Sequence, residues 1–308
     1  MFKLPNQPSP KADIHELADF AELLAWCKGT VSAREIIAYL GREDDNDNNV
    51  GCDDNDDENA NELDEVMNEL ERRSQACNTG YPFLLELEGT VLKFSPPQDN
   101  QKQEIYLYLL LSTRLNMLKS KIHAGIDGTT LLEEIAARTL QFYLGKNRSK
   151  SMVFGTAMGN KFEEKVNRLC TELKEGGCFK NWDSAPVSAN DDRLDAVAWV
   201  PFSDGTSNQI IVFGQCKTGT TWESQSTQLQ PDAFIKRWTS ERTFSLTPIR
   251  AYCISEAADR SRWQGITAYT GLLLDRCRLV DFCEDLEVGT LQRLRSWSEA
   301  AKATVNFS

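Results

Sequence analysis

The sequence predicts a C-terminal α/β domain, a central mixed sheet flanked by helices, preceded by a mainly helical domain. Three observations predict it. Apolar residues recur at helical spacing through roughly the first 145 positions. After the small, basic stretch GKNRSKS (145–151) the pattern changes to strand-like runs. Those runs then alternate with helical stretches in the order helix, strands, helix, strand, helix, strand, helix.

In chain order, DIHELADFAELLAWC (13–27) repeats apolar residues every three or four positions. SAREIIAYLG (32–41) opens with a capping box, Ser32 and Glu35, and closes at Gly41. An acidic segment, 43–61, is expected as a disordered loop, because it is polar and self-repelling. Helical pattern resumes at 60–77, then YPFLLELEGTVLKF forms a hairpin turning near Glu88 and Gly89. Helices are expected at 101–120 and 129–144, the second opened by a Thr130/Glu133 capping box and closed by Gly145. A domain boundary is expected at 148/149. Beyond it, GNKFEEKVNRLCTELKEGG is a helix burying Phe162, Val166, Leu169, Cys170 and Leu173. Strands are expected at 194–202, 209–217, 247–254 and 272–282, and helices near 222–240, 257–269 and 287–302.

Composition narrows the function. The chain of 308 residues carries a net charge of −12, yet 43–71 alone holds 14 acidic residues and no basic one. Residues 146–308 hold 21 Lys/Arg against 20 Asp/Glu, so the acidity says little about the C-terminal surface. Nine cysteines without a C-x-x-C pair fit reduced thiols and a cytoplasmic location. Two histidines remove most zinc and Ser-His-Asp chemistry. No apolar run reaches membrane-spanning length, and no secretory h-region follows the first methionine.

The informative stretch is NQIIVFGQCKTGTTW (208–222), a strand apolar on both faces that ends in Gln215 and Lys217 on one face. It is preceded by RLDAVAWVPF and the turn-rich SDGTSN. With the turn centred on Gly205, Asp195 lies opposite Gln215 and shares its face with Lys217. A slip of one residue would send Asp195 to the other face. A carboxylate, an amide and an ammonium then converge at one end of the sheet.

This pattern resembles the PD-(D/E)xK nuclease superfamily, the restriction-endonuclease-like fold, in the Q-x-K variant of Mrr-type restriction endonucleases. Asp195, Gln215, Cys216 and Lys217 carry the likeness. NDDRLDAVAW is similar to that group's Asp-Gly-Gly-Ile-Asp strand, with Asp192 and Arg193 where the group has glycines. NKFEEKVNRL is similar to its leading helix and carries over Glu163, with Glu164 as the alternative. The likeness spans roughly 150–290.

It implies a Mg²⁺- or Mn²⁺-dependent DNA endonuclease, the nuclease subunit of a prokaryotic restriction or anti-phage defence system. Asp195, the Gln215 oxygen, the Cys216 carbonyl and Glu163 would be the metal donors, and Lys217 would act on the attacking water and the transition state. DNA is the implied partner, beside a separate ATPase or helicase subunit, since no Walker A motif occurs here. Homo-oligomers are compatible with it. Residues 1–148 would then be an accessory or partner-interaction domain.

Two other readings stay open. One is a nuclease-like scaffold that binds DNA or a protein without cutting. The other is a helical sensor working through its acidic loop. DAFIKRWTSER (232–242) and RSRW (260–263) mix cations with tryptophan and suit either a phosphate track or ordinary helix surface. Gln225 and Gln228 are candidates to line the cleft.

Overall fold

The structure is a computed structural model that describes residues 2–9, 12–39, 54–87, 89–158, 161–182 and 192–305. The first half contains α1 (Ile14–Lys28), β1 (Thr30–Ser32), α2 (Ala33–Tyr39), α3 (Asp54–Cys77), β2 (Phe83–Glu86), β3 (Val91–Phe94) and α4 (Gln101–Arg114). Two short strands, β4 (Ile122–His123) and β5 (Ile126–Asp127), lead into α5 (Gly128–Tyr143). The second half runs β6 (Lys150–Val153), α6 (Phe162–Leu173), β7 (Ala196–Trp199), β8 (Ile211–Lys217), α7 (Pro231–Trp238), β9 (Ile249–Ile254), α8 (Trp263–Thr270), β10 (Leu272–Leu274), α9 (Arg276–Phe282) and α10 (Val288–Lys302).

Strands β6 to β10 form one mixed sheet in the order β10-β9-β8-β7-β6. β6, β7 and β8 pair antiparallel, and β8, β9 and β10 pair parallel. One face is built of small residues: Ala196, Ala198, Val212, Gly214 and Ala251. Helix α5 packs there, close enough that a Cβ on Gly214 would stand 3.0 Å from Leu140 Cδ1. The other face, Val197, Trp199, Ile211 and Phe213, packs against Phe162, Val166, Leu169, Cys170 and Leu173 of α6 and Phe234 and Trp238 of α7. Alternation along β7 and β8 therefore sorts small from large side chains onto opposite faces.

The halves share one core. Phe20 of α1, Leu109 of α4, Ile135 of α5, Ala198 of β7, Leu279 of α9 and Trp297 of α10 belong to a single buried cluster. The boundary expected at 148/149 is thus not a boundary in packing, because α5 covers the sheet and α10 returns to α4.

Between the halves lies a buried ionic network. Asp19 accepts hydrogen bonds from Arg73 of α3 and Arg114 of α4, both at 2.6 Å, and from Arg276 of α9. Glu22, one turn on, accepts from the hydroxyls of Tyr106 (2.7 Å) and Tyr81 (2.9 Å). Burial pushes the Glu22 carboxyl up. For Asp19 burial acts in the same sense, but Arg276, Arg114 and Arg73 outweigh it and hold the carboxyl well below its usual range.

Several element bounds differ from expectation. Residues 54–61 are not loop, because α3 begins at Asp54 and so takes in the end of the acidic segment; 43–53 lie outside the described residues. The strand expected at 272–282 stops at Leu274, where the Asp275 carboxylate accepts the Arg278 N–H at 3.2 Å and starts α9. The Ser32/Glu35 capping box forms as expected, with Glu35 Oε2 accepting the Ser32 N–H at 2.8 Å. The second one does not. Asp127 caps α5 by accepting the Thr129 N–H at 3.0 Å, and Glu133 is used elsewhere.

Candidate active site

The β7–β8 pairing has the register on which the site depends. Ala196 lies opposite Gly214 and Val197 opposite Phe213, so Asp195 falls opposite Gln215. The Asp195 N–H donates to Gly214 O (2.9 Å), and its carbonyl accepts from Phe154 N–H (2.8 Å) and Gly155 N–H (2.9 Å). Its carboxylate turns back to β8, where Oδ2 accepts the Cys216 N–H at 2.7 Å. Backbone on both sides thus fixes this side chain.

Just before it, Asp192 (φ 45°) and Arg193 (φ 70°) have left-handed backbone, a conformation that favours glycine. Asp192 is held there by the Trp238 indole N–H at 2.6 Å and by Arg237.

Asp195, Gln215, Cys216 and Lys217 line one cavity of about 460 Å³, together with Lys3, Glu133, Arg193 and Gln225. Gln215 is 1% exposed; its oxygen accepts the Leu229 N–H at 3.2 Å, and its buried NH₂ group has no hydrogen-bond partner among the described residues. Lys217 ends β8, and its carbonyl accepts the Ser255 N–H at 3.2 Å. Gln228, by contrast, is exposed and outside the cavity lining.

Glu163 and Glu164 do not join this cavity. Both are exposed on α6, whose buried face reaches the site region through Lys165, with Nζ donating to Gly155 O at 2.7 Å. The second carboxylate of the cavity is Glu133 of α5. Its oxygens accept from Thr156 N–H (3.2 Å), Thr156 Oγ1 (2.8 Å) and Ala157 N–H (2.8 Å). Gly155 makes room for it: a Cβ there would stand 2.5 Å from the carboxylate. The sequence carries a signal for this residue, because Glu133 shares a helical face with Ala136, Ala137 and Leu140 and is itself buried. An acidic residue on an apolar helix face needs a partner or a task.

Cys216 alternates to the opposite face from Gln215 and Lys217. Burial first, then its neighbour Cys253 and the charges of Asp195 and Glu133, push its thiol well above the usual range. That environment disfavours the thiolate form. The Trp residues of the two basic-aromatic stretches are structural in part: Trp238 is buried, and Trp263 lies under Arg260 and Arg278.

Asp195, Glu133 and the Gln215 amide bring oxygen atoms to this cavity, with two formal negative charges among them. Among the described residues no cluster of three or more His, Cys, Asp or Glu is placed to hold a metal. The described helices include none long and apolar enough to cross a membrane. Compared with protein-family models, with curated proteins and with solved structures, the chain matches none.

Proposed function

We propose that the protein is a metal-dependent DNA endonuclease that hydrolyses phosphodiester bonds at the end of β7 and β8. The observation that carries this reading is the convergence of Asp195, Glu133, Gln215 and Lys217 on one cavity. The left-handed backbone at Asp192 and Arg193 supports it as well, since the group that the sequence resembles has glycines at those two positions.

Asp195 and Glu133 would hold Mg²⁺ or Mn²⁺, with the Gln215 oxygen as a neutral donor. When bound, the cation lowers the pKa of a water and neutralises charge on the phosphoryl group. The protein's own part is positional. The Cys216 N–H aims the Asp195 carboxylate, and the Thr156 and Ala157 N–H groups aim that of Glu133. Lys217 brings an ammonium to the same cavity, where it stabilises charge that grows in the transition state. Arg193 adds a second cation for the phosphate backbone.

One observation favours a second reading, a scaffold that binds DNA without cutting it. Both carboxylates already accept protein hydrogen bonds, and the orphaned group on Gln215 is a donor rather than a ligand. Incubation with supercoiled, linear and single-stranded DNA in Mg²⁺ and in Mn²⁺ separates the two. Cleavage that is lost with Asp195→Asn supports the nuclease. Salt-sensitive binding without cleavage supports the scaffold.

A further inference from the structure

We propose that Lys3 is a phosphate-backbone contact of this cavity, brought from the N-terminal segment to the turn that follows Lys217. The inference rests on the reading of the cavity as a nucleic-acid site.

The segment around Lys3 is pinned on both sides. The Phe2 ring is buried edge-on to Phe20 at 6.2 Å, and the Phe2 N–H donates to Glu16 Oε1 at 3.1 Å. Leu4 is buried, and its N–H donates to Arg114 O at 2.9 Å. Lys3 therefore has little freedom in where it directs its side chain. Its Nζ donates to Thr113 O at 2.6 Å, and a Cβ on Gly219 would stand 3.4 Å from that same Nζ. Gly219 has φ +81° and is two residues past Lys217. Its N–H donates to Ser255 Oγ at 3.1 Å, which ties the turn beside Lys3 to the residue that follows β9.

An ammonium carries three N–H donors, and the Thr113 bond leaves capacity for a phosphate oxygen. The charged residues lining the cavity are Lys3, Arg193, Lys217, Glu133 and Asp195. A site that is net cationic before any metal binds suits a polyanion. Burial lowers the Lys3 pKa to about 8, Arg114 adds to this, and Glu256, Asp19 and Glu16 oppose it. The charged form still predominates at neutral pH. Partial burial of a lysine is unfavourable unless an acceptor or an anion meets it.

A purely structural lysine would do no more than cap the carbonyl at the end of α4. Fluorescence anisotropy separates the roles, with a labelled DNA duplex in EDTA so that nothing is cut. Lys3→Met should weaken binding severalfold for unrelated duplex sequences and reduce the slope of log affinity against log salt by about 0.9, the value for one phosphate contact. Lys3→Arg should keep the slope. An unchanged slope in a Lys3→Met protein that melts like wild type overturns the proposal. Should Lys3→Met fail to fold, Lys3→Gln keeps a donor for Thr113 without the charge, and wild-type affinity in that variant overturns it equally. If the wild type binds no duplex, the Lys3 contact falls, while cleavage in Mg²⁺ or Mn²⁺ still decides the nuclease reading. If the wild type binds and Lys217→Ala abolishes cleavage while the Lys3 variants bind normally, the Lys3 contact alone is wrong.

Discussion

Arg276 and Asp19 meet in a two-point hydrogen-bonded pair, Nη1 to Oδ1 at 2.8 Å and Nη2 to Oδ2 at 3.0 Å, with both side chains buried. The same guanidinium donates through Nε to Ser255 O at 3.0 Å, and Ser255 N–H donates to the carbonyl of Lys217. The ionic network under the first helices is therefore one residue away from the strand that carries the candidate site.

Asp19→Ala should destabilise the protein by about 3–5 kcal/mol, because Arg73, Arg114 and Arg276 stay buried after their shared carboxylate is gone. Urea unfolding followed by circular dichroism measures this. A loss below about 1 kcal/mol would mean that the network is dispensable.

Acid should unfold the protein through the same groups. Three arginines hold Asp19 far down, and Arg72 and Arg73 do the same for Glu69 against the opposing effect of burial. A carboxyl depressed in the folded state contributes stability above its unfolded pKa of about 4, and that contribution is lost as pH falls toward the folded value. Glu22 is shifted upward and works in the opposite sense. Glu256 is raised by burial too, but Asp127 and Asp259 join Asp19 and Glu69 among the depressed carboxyls, so the urea midpoint should drop steadily below pH ~4. In Asp19→Asn that drop should be shallower.

Glu133 and Glu163 make contrasting substitutions. Glu133→Gln should lower metal-dependent cleavage by about 10²–10³-fold, the scale seen when one preorganised group that stabilises transition-state charge is removed. Glu163→Gln, on an exposed helix face, should stay within about twofold of wild type. Initial cleavage rates at saturating DNA decide it. Equal losses in both variants would return Glu163 to the site.

Gln215→Glu should strengthen Mg²⁺ binding, since a carboxylate replaces a neutral amide of nearly the same shape. The carboxylate can still accept the Leu229 N–H, and the orphaned NH₂ group disappears. Without metal the buried charge should make the variant less stable than wild type. Titrating Mg²⁺ against activity and against melting temperature tests both halves. A metal dependence like that of wild type would remove Gln215 from the ligand set.

Much of the site was legible in the sequence, for identifiable reasons. Alternation along 209–217 and the turn formers around Gly205 define the β7–β8 register, which places Asp195 opposite Gln215. Glu133 was hidden by a competing local signal: Thr130 and Glu133 have capping-box spacing, whereas Asp127 takes the cap and the Glu133 carboxylate is met by Thr156 and Ala157, distant in the chain. Lys3 had no signal at all, because nothing in its neighbourhood predicts that Phe2 and Leu4 anchor it beside Gly219. The end of the last strand was missed because Leu279, Val280 and Phe282 of α9 follow closely on Leu272–Leu274, although Asp275 between them marks the helix start. The shared core escaped because the basic stretch 145–151 reads as a linker, although it leads into β6.

The Asp19–Arg276 pair also sets a clock on synthesis. Its partners are 257 residues apart, so at about 5–20 residues per second a ribosome needs roughly 13–50 s to add Arg276 after Asp19. During that interval α1 has a carboxylate in place for a guanidinium that does not yet exist. The first half cannot mature ahead of the second, and no stage of translation before α9 emerges can hold the finished core.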